Sequence, residues 1–373
     1  MVTLLEHRQR IARLTPLDHV LRRIGECVHP VAPREMAAAT ALGATLAQDV
    51  AVAVQRPAAP VALIDGWAIR AEATADAGSY APAVLPGAEE INAGQGLPAD
   101  SDAVAPADAV TWRAGMAEAH VAVIPGDGVL MPGTDASVGE VLRRAGDRLR
   151  AIDVAAMQAL GLSGARVRKP RIRIARVGGG RNDILDAAAD WLAFAIAADG
   201  GAPVAARPGA GAAAFLGGGV DAVVIVGGTG AGSRDDSVHA LAQAGTVEAH
   251  GIALSPGETA AFGIASSRPV LLVPGRLDAA VAVWLLVGRA MLARLRGGTE
   301  SEPAHESVLT GKVASTVGLT ELVLVRRVAD GVEPLASKYL PLATLSHADG
   351  WIVVAAESEG LPPGVRVLVR PLP

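Results

Sequence analysis

Between Arg171 and Leu295 the chain repeats one pattern: an apolar run, a glycine turn, then a stretch with helical periodicity. Arg171 to Val177 reads as a strand ending on Gly178-Gly179-Gly180, and Ile184 to Ala198 follows with apolar residues at helical spacing. Ala222-Val223-Val224-Ile225-Val226 is apolar at every position and ends in Gly227-Gly228. Val270 to Val273 ends in Pro274-Gly275 and leads into a helical segment, Ala279 to Leu295. A strand without polar positions needs cover on both faces, and strands joined through helices run parallel. The repeat predicts a mainly parallel sheet in a three-layer α/β domain. Ligands of such sheets bind outside the carboxyl ends of the strands, where these glycine turns fall.

The flanking regions have other textures. From about Leu4 to Val50 the chain reads as helical, with Thr15-Pro16-Leu17 as an N-cap followed by proline at the first helical position. Val20, Leu21 and Ile24 continue that helix, and a second one is expected over Arg34 to Asp49, with Met36, Ala39, Leu42 and Leu46 on one face. From Val52 to about Gly139 short apolar runs are broken by Pro, Gly and Asp, as in Ala103 to Val110, Ala119 to Ile124 and Pro125-Gly126-Asp127-Gly128. That pattern predicts a small β domain. A helix over Ala151 to Leu160 and a strand over Ala165 to Arg168 come next. Strand patterns at Glu321 to Arg326, Gly350 to Ala355 and Val365 to Val369, with the turn Pro362-Pro363-Gly364, predict a closing β barrel or sandwich. A chain of 373 residues is long enough for several such domains.

Composition removes whole classes of function. Aromatics make up 3% of residues and the net charge is -5, with no basic run, so nucleic acid is not expected as a partner. Cys27 is the single cysteine, which rules out an internal disulfide or a cysteine-cluster metal site. The longest apolar stretch of the C-terminal half, Ala279 to Gly288, is bounded by Asp278 and Arg289 and is far shorter than a bilayer needs, so no membrane is expected. The start of the chain, with Glu6, His7, Arg8, Arg10 and Arg13, has no apolar core of a secretory signal; a cytoplasmic location is the expectation.

The segments able to carry chemistry are the turns at the strand ends. Glycines let backbone N–H groups approach an anion, and a following helix adds a favourable dipole. Gly227-Gly228-Thr229-Gly230-Ala231-Gly232, with Asp235 just beyond, is the best of them as a site for a phosphorylated small molecule; a tight structural turn is the other reading. Gly178 and Gly179, Pro256-Gly257 and Pro274-Gly275 belong to the same edge, where Arg276 offers a planar fork of donors to a phosphate or else stands solvated at a helix start. Neither a P-loop nor the dinucleotide fingerprint occurs at these turns. Asp65-Gly66, within Ile64-Asp65-Gly66-Trp67-Ala68-Ile69-Arg70, reads by itself as a turn between strands.

Taken in order, these segments resemble the molybdopterin molybdenumtransferase family, of the bacterial MoeA and gephyrin E-domain type, with this chain a divergent member. Ala41 to Val50 is similar to the exit of the family's first helix, and Asp65-Gly66-Trp67-Ala68 to its Asp-Gly-Tyr-Ala motif. Val138 to Val167, Gly227-Gly228 through Asp235, Pro256-Gly257 with Phe262-Gly263, Pro274-Gly275 and the tail Ala348 to Leu372 fall in family order. The resemblance implies a multidomain α/β plus β protein: an elongated helical and linker domain (1–50 and 140–168), a small β domain (51–139), a molybdopterin-binding-type α/β domain (169–300) and a C-terminal β barrel (305–373). It further implies a homodimer in which the α/β domain and the partner subunit's β domain line a cleft. The implied reaction is insertion of molybdate into the dithiolene of molybdopterin, supplied in adenylylated form, with release of AMP and help from Mg2+. A molybdoenzyme or another protein of the cofactor pathway is the implied macromolecular partner.

Residue by residue, the resemblance assigns catalytic acids to Asp65, Asp135 and Asp235, with Asp235 also the metal ligand. It assigns the pterin site to Gly178, Gly179, Gly227, Gly228, Thr229, Gly232, Pro256, Gly257, Pro274, Gly275 and Arg276. Other family positions are replaced. Val61-Ala62 stands for Asn-Ser, Ala93-Gly94-Gln95 for Thr-Gly-Ala, and Gly178-Gly179-Gly180-Arg181 for Thr-Gly-Asp-Glu. The paired lysines are Ser255 and Glu258, and Pro274-Gly275-Arg276-Leu277 stands for Pro-Gly-Asn-Pro. Asp183 lies near the missing acid pair, as a substitute for it or as a solvated turn residue. Glu258 sets a negative charge where the family holds a phosphate, a change worth roughly 4 kcal/mol at about 4 Å and a surface-like dielectric; Arg181 and Arg276 offset it in part. Two functions follow: an active molybdenum-insertion enzyme with a rearranged site, or a catalytically impaired paralogue that carries molybdopterin as a dimeric scaffold.

Overall fold

The structure, a computed structural model, describes residues 9–178, 182–206, 216, 218–233, 235–298 and 303–373. The chain divides into two units: Met1–Gln48 with Ala145–Val154 and Ser163–Pro373, and Asp49–Arg144 with Ala155–Leu162. The first unit contains, in chain order, α1 (Leu17–Cys27), β1 (Arg171–Arg176), α2 (Asp183–Ala198), β2 (Ala202–Ala205), β3 (Ala222–Val226), α3 (Ser237–Ala244), β4 (Gly245–His250) and β5 (Ile252–Ser255). It continues with β6 (Ala261–Ala265), β7 (Arg268–Val273), α4 (Leu277–Val283), a π-helical turn (Trp284–Gly288) and α5 (Arg289–Arg296). Strands β8 (His305–Val308), β9 (Thr320–Val328), β10 (Gly331–Ala336), β11 (Gly350–Val354) and β12 (Arg366–Pro371) complete it.

The α/β sheet has the order β2-β1-β3-β7-β6-β4. Strands β2, β1, β3 and β7 are parallel, and β6 with β4 adds an antiparallel edge that the glycine-turn repeat did not announce. Side chains of a strand alternate between faces. Ile172, Ile174, Val224, Val226, Leu271 and Val273 pack with Ala188, Leu192, Ala195 and Ile196 of α2 and with α4. Val223, Ile225, Val270 and Leu272 take the other face, with Val238 and Leu241 of α3. This two-sided burial is why β3 carries no polar residue. Asn182 starts α2 by accepting the Ile184 and Leu185 N–H groups at 3.2 Å each.

Helix α1 begins one residue later than expected: Pro16 stands at the N-cap position, because Thr15 and Pro16 pair in parallel with Ile252 and Ala253 of β5. Val20 and Ile24 enter the α/β core, and the Arg23 guanidinium donates to Glu248 Oε2 at 3.1 and 2.8 Å. The second expected helix is overturned. Arg34–Ala37 is a strand paired antiparallel with Gly164–Arg168, followed by a 3-10 turn at Ala38–Thr40 and a short strand at Thr45–Leu46 on the same partner. Pairing across the sheet outweighs local periodicity there, Gly43 at φ +74° breaks the run, and Leu42 is exposed.

The C-terminal sheet runs β10-β9-β11-β12-β8, and β5 joins its free side through β9. A bridge from Leu309 to Val332 brings the β8 edge back to β10 and closes a barrel around Leu309, Val323, Val325, Ile352 and Val354. In the second unit Gly66–Ile69 pairs antiparallel with Glu89–Ile91 and Ala103–Pro106. A further sheet joins Ala83–Leu85, Met116–Ala119 and Val110–Arg113, with Trp67 and Trp112 edge to face at 5.5 Å. No described helix is long and apolar enough to cross a membrane.

Candidate functional site

The carboxyl ends of β1, β3 and β7 turn at Gly178, Gly227 and Gly275, and all three glycines close on one side chain, Leu185 of α2. A Cβ at these positions would lie 3.9, 3.5 and 2.8 Å from Leu185 methyl carbons, so Gly275 admits no side chain unless Leu185 yields. Gly179, Gly180 and Arg181 lie outside the described residues.

The loop after β3 is tied on its carbonyl side. Ser237 Oγ donates to the Gly227 carbonyl at 2.9 Å, and Ser237 N donates to the Gly228 carbonyl at 3.1 Å. Thr229, almost fully buried, shares a hydroxyl hydrogen bond with Thr259 at 3.0 Å, and His250 Nε2 stands 3.2 Å from the Thr229 carbonyl. Asp235 is half-buried; its Oδ2 accepts the Gly232 N–H at 3.0 Å, leaving Oδ1 for other partners. Among the described residues, the N–H groups of Gly228, Thr229, Gly230 and Ala231 have no acceptor. Successive unfilled amides of this kind form a concavity for an anion.

The helix-dipole half of the expected site is different from the sequence reading. The amides of Val238 and His239 at the start of α3 are held by Gln9 Oε1 at 2.6 and 3.1 Å. No motif marks Gln9 in the sequence, and only its place in the fold exposes its role.

Pro256 and Gly257 are buried rather than set out on a loop, and a Cβ on Gly257 would lie 2.6 Å from Val283 and 2.7 Å from Leu254. Glu258 is half-buried, its Oε2 accepting the Gly257 N–H at 3.1 Å. Arg276 begins α4 on the exposed side of Pro274-Gly275. Its Nε donates to Asp278 Oδ1 at 3.0 Å, its Nη2 to Asp278 Oδ2, and its guanidinium lies 5.2 Å over the Tyr339 ring. The Asp278 hydrogen bonds raise the Arg276 pKa above its ordinary value. One fork of Arg276 is therefore committed to the protein, and the remaining N–H groups are what a phosphate would meet. Asp278, 3% exposed, also accepts the Leu340 N–H at 3.2 Å. Asp278→Ala is expected to lower the unfolding free energy by about 2 kcal/mol, since the buried Leu340 amide loses its acceptor. A urea transition with unchanged slope and a lower midpoint would register it.

Asp65 and Asp135 belong to the second unit. Asp65 Oδ1 accepts the Ala93 N–H at 2.8 Å, while Ala62 and the 94–95 turn exchange backbone bonds at 2.7 and 2.9 Å, so two of the sequence-selected loops are locked together. Beside them a cavity of about 560 Å³ is lined by Arg56, Val61, Ala62, Leu63, Gly94 and Asp135, among others. A larger hollow of about 650 Å³, with Arg70, Asp100 and Asp102 on its walls, gathers none of the expected residues.

Residues 4–161 match the family described as "MoeA N-terminal region (domain I and II)", and residues 174–294 match the "Probable molybdopterin binding domain". Over 90% of its length the chain is 24% identical to the molybdopterin molybdenumtransferase 2 of Mycobacterium tuberculosis, covering 92% of that protein. The crystal structure of a molybdopterin biosynthesis MoeA protein from Pyrococcus horikoshii superposes with a TM-score of 0.71 at 25% identity, covering 96% of this chain and 99% of that one. The chain belongs to the molybdopterin molybdenumtransferase (MoeA) family. A further match of 149 residues, 30% identical, to a Methanocaldococcus jannaschii protein named for molybdopterin biosynthesis spans 39% of this chain and 35% of that protein.

As a MoeA-family protein, the chain is one of molybdenum cofactor biosynthesis, with a molybdopterin-type ligand. Its residues fit a divalent ion only in a particular way. No group of three or more His, Cys, Asp or Glu side chains among the described residues makes a closed metal cage. Mg2+ characteristically takes one or two carboxylates and completes its shell with water and substrate phosphate oxygens. Asp235, with Oδ1 uncommitted beside the open amides, suits that sharing.

Proposed function

We propose that this protein inserts molybdate into the dithiolene of adenylylated molybdopterin and releases AMP. The observation that carries this reading is the run of unfilled amides from Gly228 to Ala231, with Asp235 beside it, at the carboxyl ends of the parallel strands of a molybdopterin-binding domain. The amides receive a phosphate oxyanion of the substrate. Arg276, with the N–H groups left over from Asp278, adds positive charge at the same edge. Asp235 would hold a Mg2+ ion, which would supply positive charge beside the substrate phosphate. Asp65 and Asp135, the acids that the family resemblance assigns to catalysis, are the residues of this reading that would act on molybdate, the substrate oxyanion. The working protein in this reading is a cytoplasmic homodimer with the four-part division given by the sequence.

Glu258 and the commitment of Arg276 to Asp278 favour a second reading, in which the protein binds molybdopterin and carries it to a partner without turnover. Release of AMP from adenylylated molybdopterin, measured with molybdate and Mg2+ for the native chain and for Asp65→Ala, separates the two. Molybdate-dependent release that falls at least about tenfold in Asp65→Ala supports insertion. Tight pterin binding with no AMP release supports the carrier and overturns the enzyme.

A further inference from the structure

We propose that Gln9 is a positioning residue of the anion site: it closes the amino end of α3 to an incoming oxyanion and directs that oxyanion to the Gly228–Ala231 amides. The inference rests on the anion-binding reading above and names how the site chooses its anchor.

Gln9 is 4% exposed and its side-chain amide is saturated. Nε2 donates to the carbonyls of Gly228 at 2.9 Å and Gly230 at 3.0 Å. Oε1 accepts from the amides of Val238 and His239, the second and third residues of α3. Two donor hydrogens and two lone pairs are all that this amide has. The Val238 and His239 amides are the ones a phosphate would otherwise take at a helix start. Asp236, at the N-cap position of α3 and of a residue type well suited to capping, makes no side-chain cap bond. The cap comes instead from a distant neutral side chain.

The other half of the clamp sets the polarity of the loop. The carbonyls of Gly227, Gly228 and Gly230 are turned to Ser237 and Gln9, while the amides from Gly228 to Ala231 are left without acceptors among the described residues. Gln9 is pinned in turn. Thr15 N donates to the Gly251 carbonyl at 2.8 Å, Thr15 and Pro16 pair in parallel with β5, and Gly251 must be glycine because a Cβ there would overlap Ile11.

The test is titration of the full-length protein with inorganic phosphate, followed at the backbone amides by NMR, together with amide hydrogen exchange, for the native chain, Gln9→Ala and Gln9→Glu. In the native chain phosphate is expected to shift Gly228–Ala231 and leave Val238 and His239 in place. In Gln9→Ala, exchange at Val238 and His239 should accelerate at least about tenfold, and phosphate should now shift those two amides. Gln9→Glu keeps an acceptor for α3, so protection there should persist, while it loses the donor to the Gly228 and Gly230 carbonyls and adds a negative charge, which together should weaken phosphate binding by about tenfold or more. That variant carries the test if Gln9→Ala does not fold. Phosphate shifts at Val238 and His239 in the native chain would overturn the proposal, as would unchanged exchange in Gln9→Ala. Faster exchange in Gln9→Ala with no phosphate shift anywhere in the native loop would overturn the anion-binding reading and leave Gln9 as a structural cap.

Discussion

Asp235→Asn is expected to reduce molybdate-dependent AMP release by about a hundredfold or more while leaving the fold intact. The two parts of the expectation come from different oxygens of one carboxylate. Oδ2 accepts the Gly232 N–H at 3.0 Å, and a Cβ on Gly230 or Gly232 would lie 2.8 or 2.9 Å from it, so the turn is packed down on this carboxylate. An asparagine oxygen reproduces that bond and that shape. What it removes is the charge, and with it the attraction for the magnesium ion that Asp235 is proposed to hold. Unfolding by urea should then change by less than about 0.5 kcal/mol. Asp235→Ala, which also loses the turn bond, should cost a further ~1 kcal/mol of stability. Asp236→Asn is the neighbouring control: its carboxylate is exposed and caps nothing, and turnover should stay within about twofold. Full activity in Asp235→Asn would remove Asp235 from the reaction and send the search for the metal ligand to Asp65 and Asp135.

Gly66→Ala is expected to destabilise the second unit by about 3 kcal/mol. Gly66 opens the strand Gly66–Ile69, whose next residue, Trp67, stands opposite Ala105. A Cβ on Gly66 would overlap the Ala105 carbonyl oxygen and lie 3.0 Å from its carbon and 3.2 Å from Val104 Cγ1. Those are backbone atoms and a stiff β-branched side chain, which move aside only at a cost. The strands must separate, and with them the sheet that aims Asp65 at Ala93. Gly96→Ala in the same unit, where a Cβ meets nothing within 4 Å, should stay within about 0.5 kcal/mol. Thermal melts of both variants check this, and equal transitions would show that the two strands part more easily than their packing implies.

The Asp65-Gly66 pair illustrates where sequence reasoning reaches. Its composition marks a turn, and its order among the other segments marks a family; neither reveals that the glycine is required by the neighbouring strand. Likewise Ser255 and Glu258 read as a reversal of charge at a phosphate site. In the structure Ser255 is buried within β5, and Glu258 folds back on the Gly257 amide.

The α/β sheet was legible because both of its faces are buried: an apolar strand such as β3 has no alternative in water, and glycine after a strand has few other uses. Its antiparallel part, the edge strand β4 and its neighbour β6, was not legible, since Gly-Thr-Val-Glu-Ala-His and Ala-Phe-Gly-Ile-Ala carry little strand pattern of their own. The stretch from Arg34 to Leu46 satisfies a helical spacing and forms strands because Gly164–Arg168 offers its backbone hydrogen bonds. Local periodicity is therefore decisive only where burial is symmetric, and partner strands decide the rest. The sequence alone determined the family and singled out the glycine loop after β3. Tertiary structure alone decided which amides of that loop remain open, because Gln9 and Ser237 reach it from opposite sides in the sequence, and hydrogen-bond saturation is a property of the folded chain.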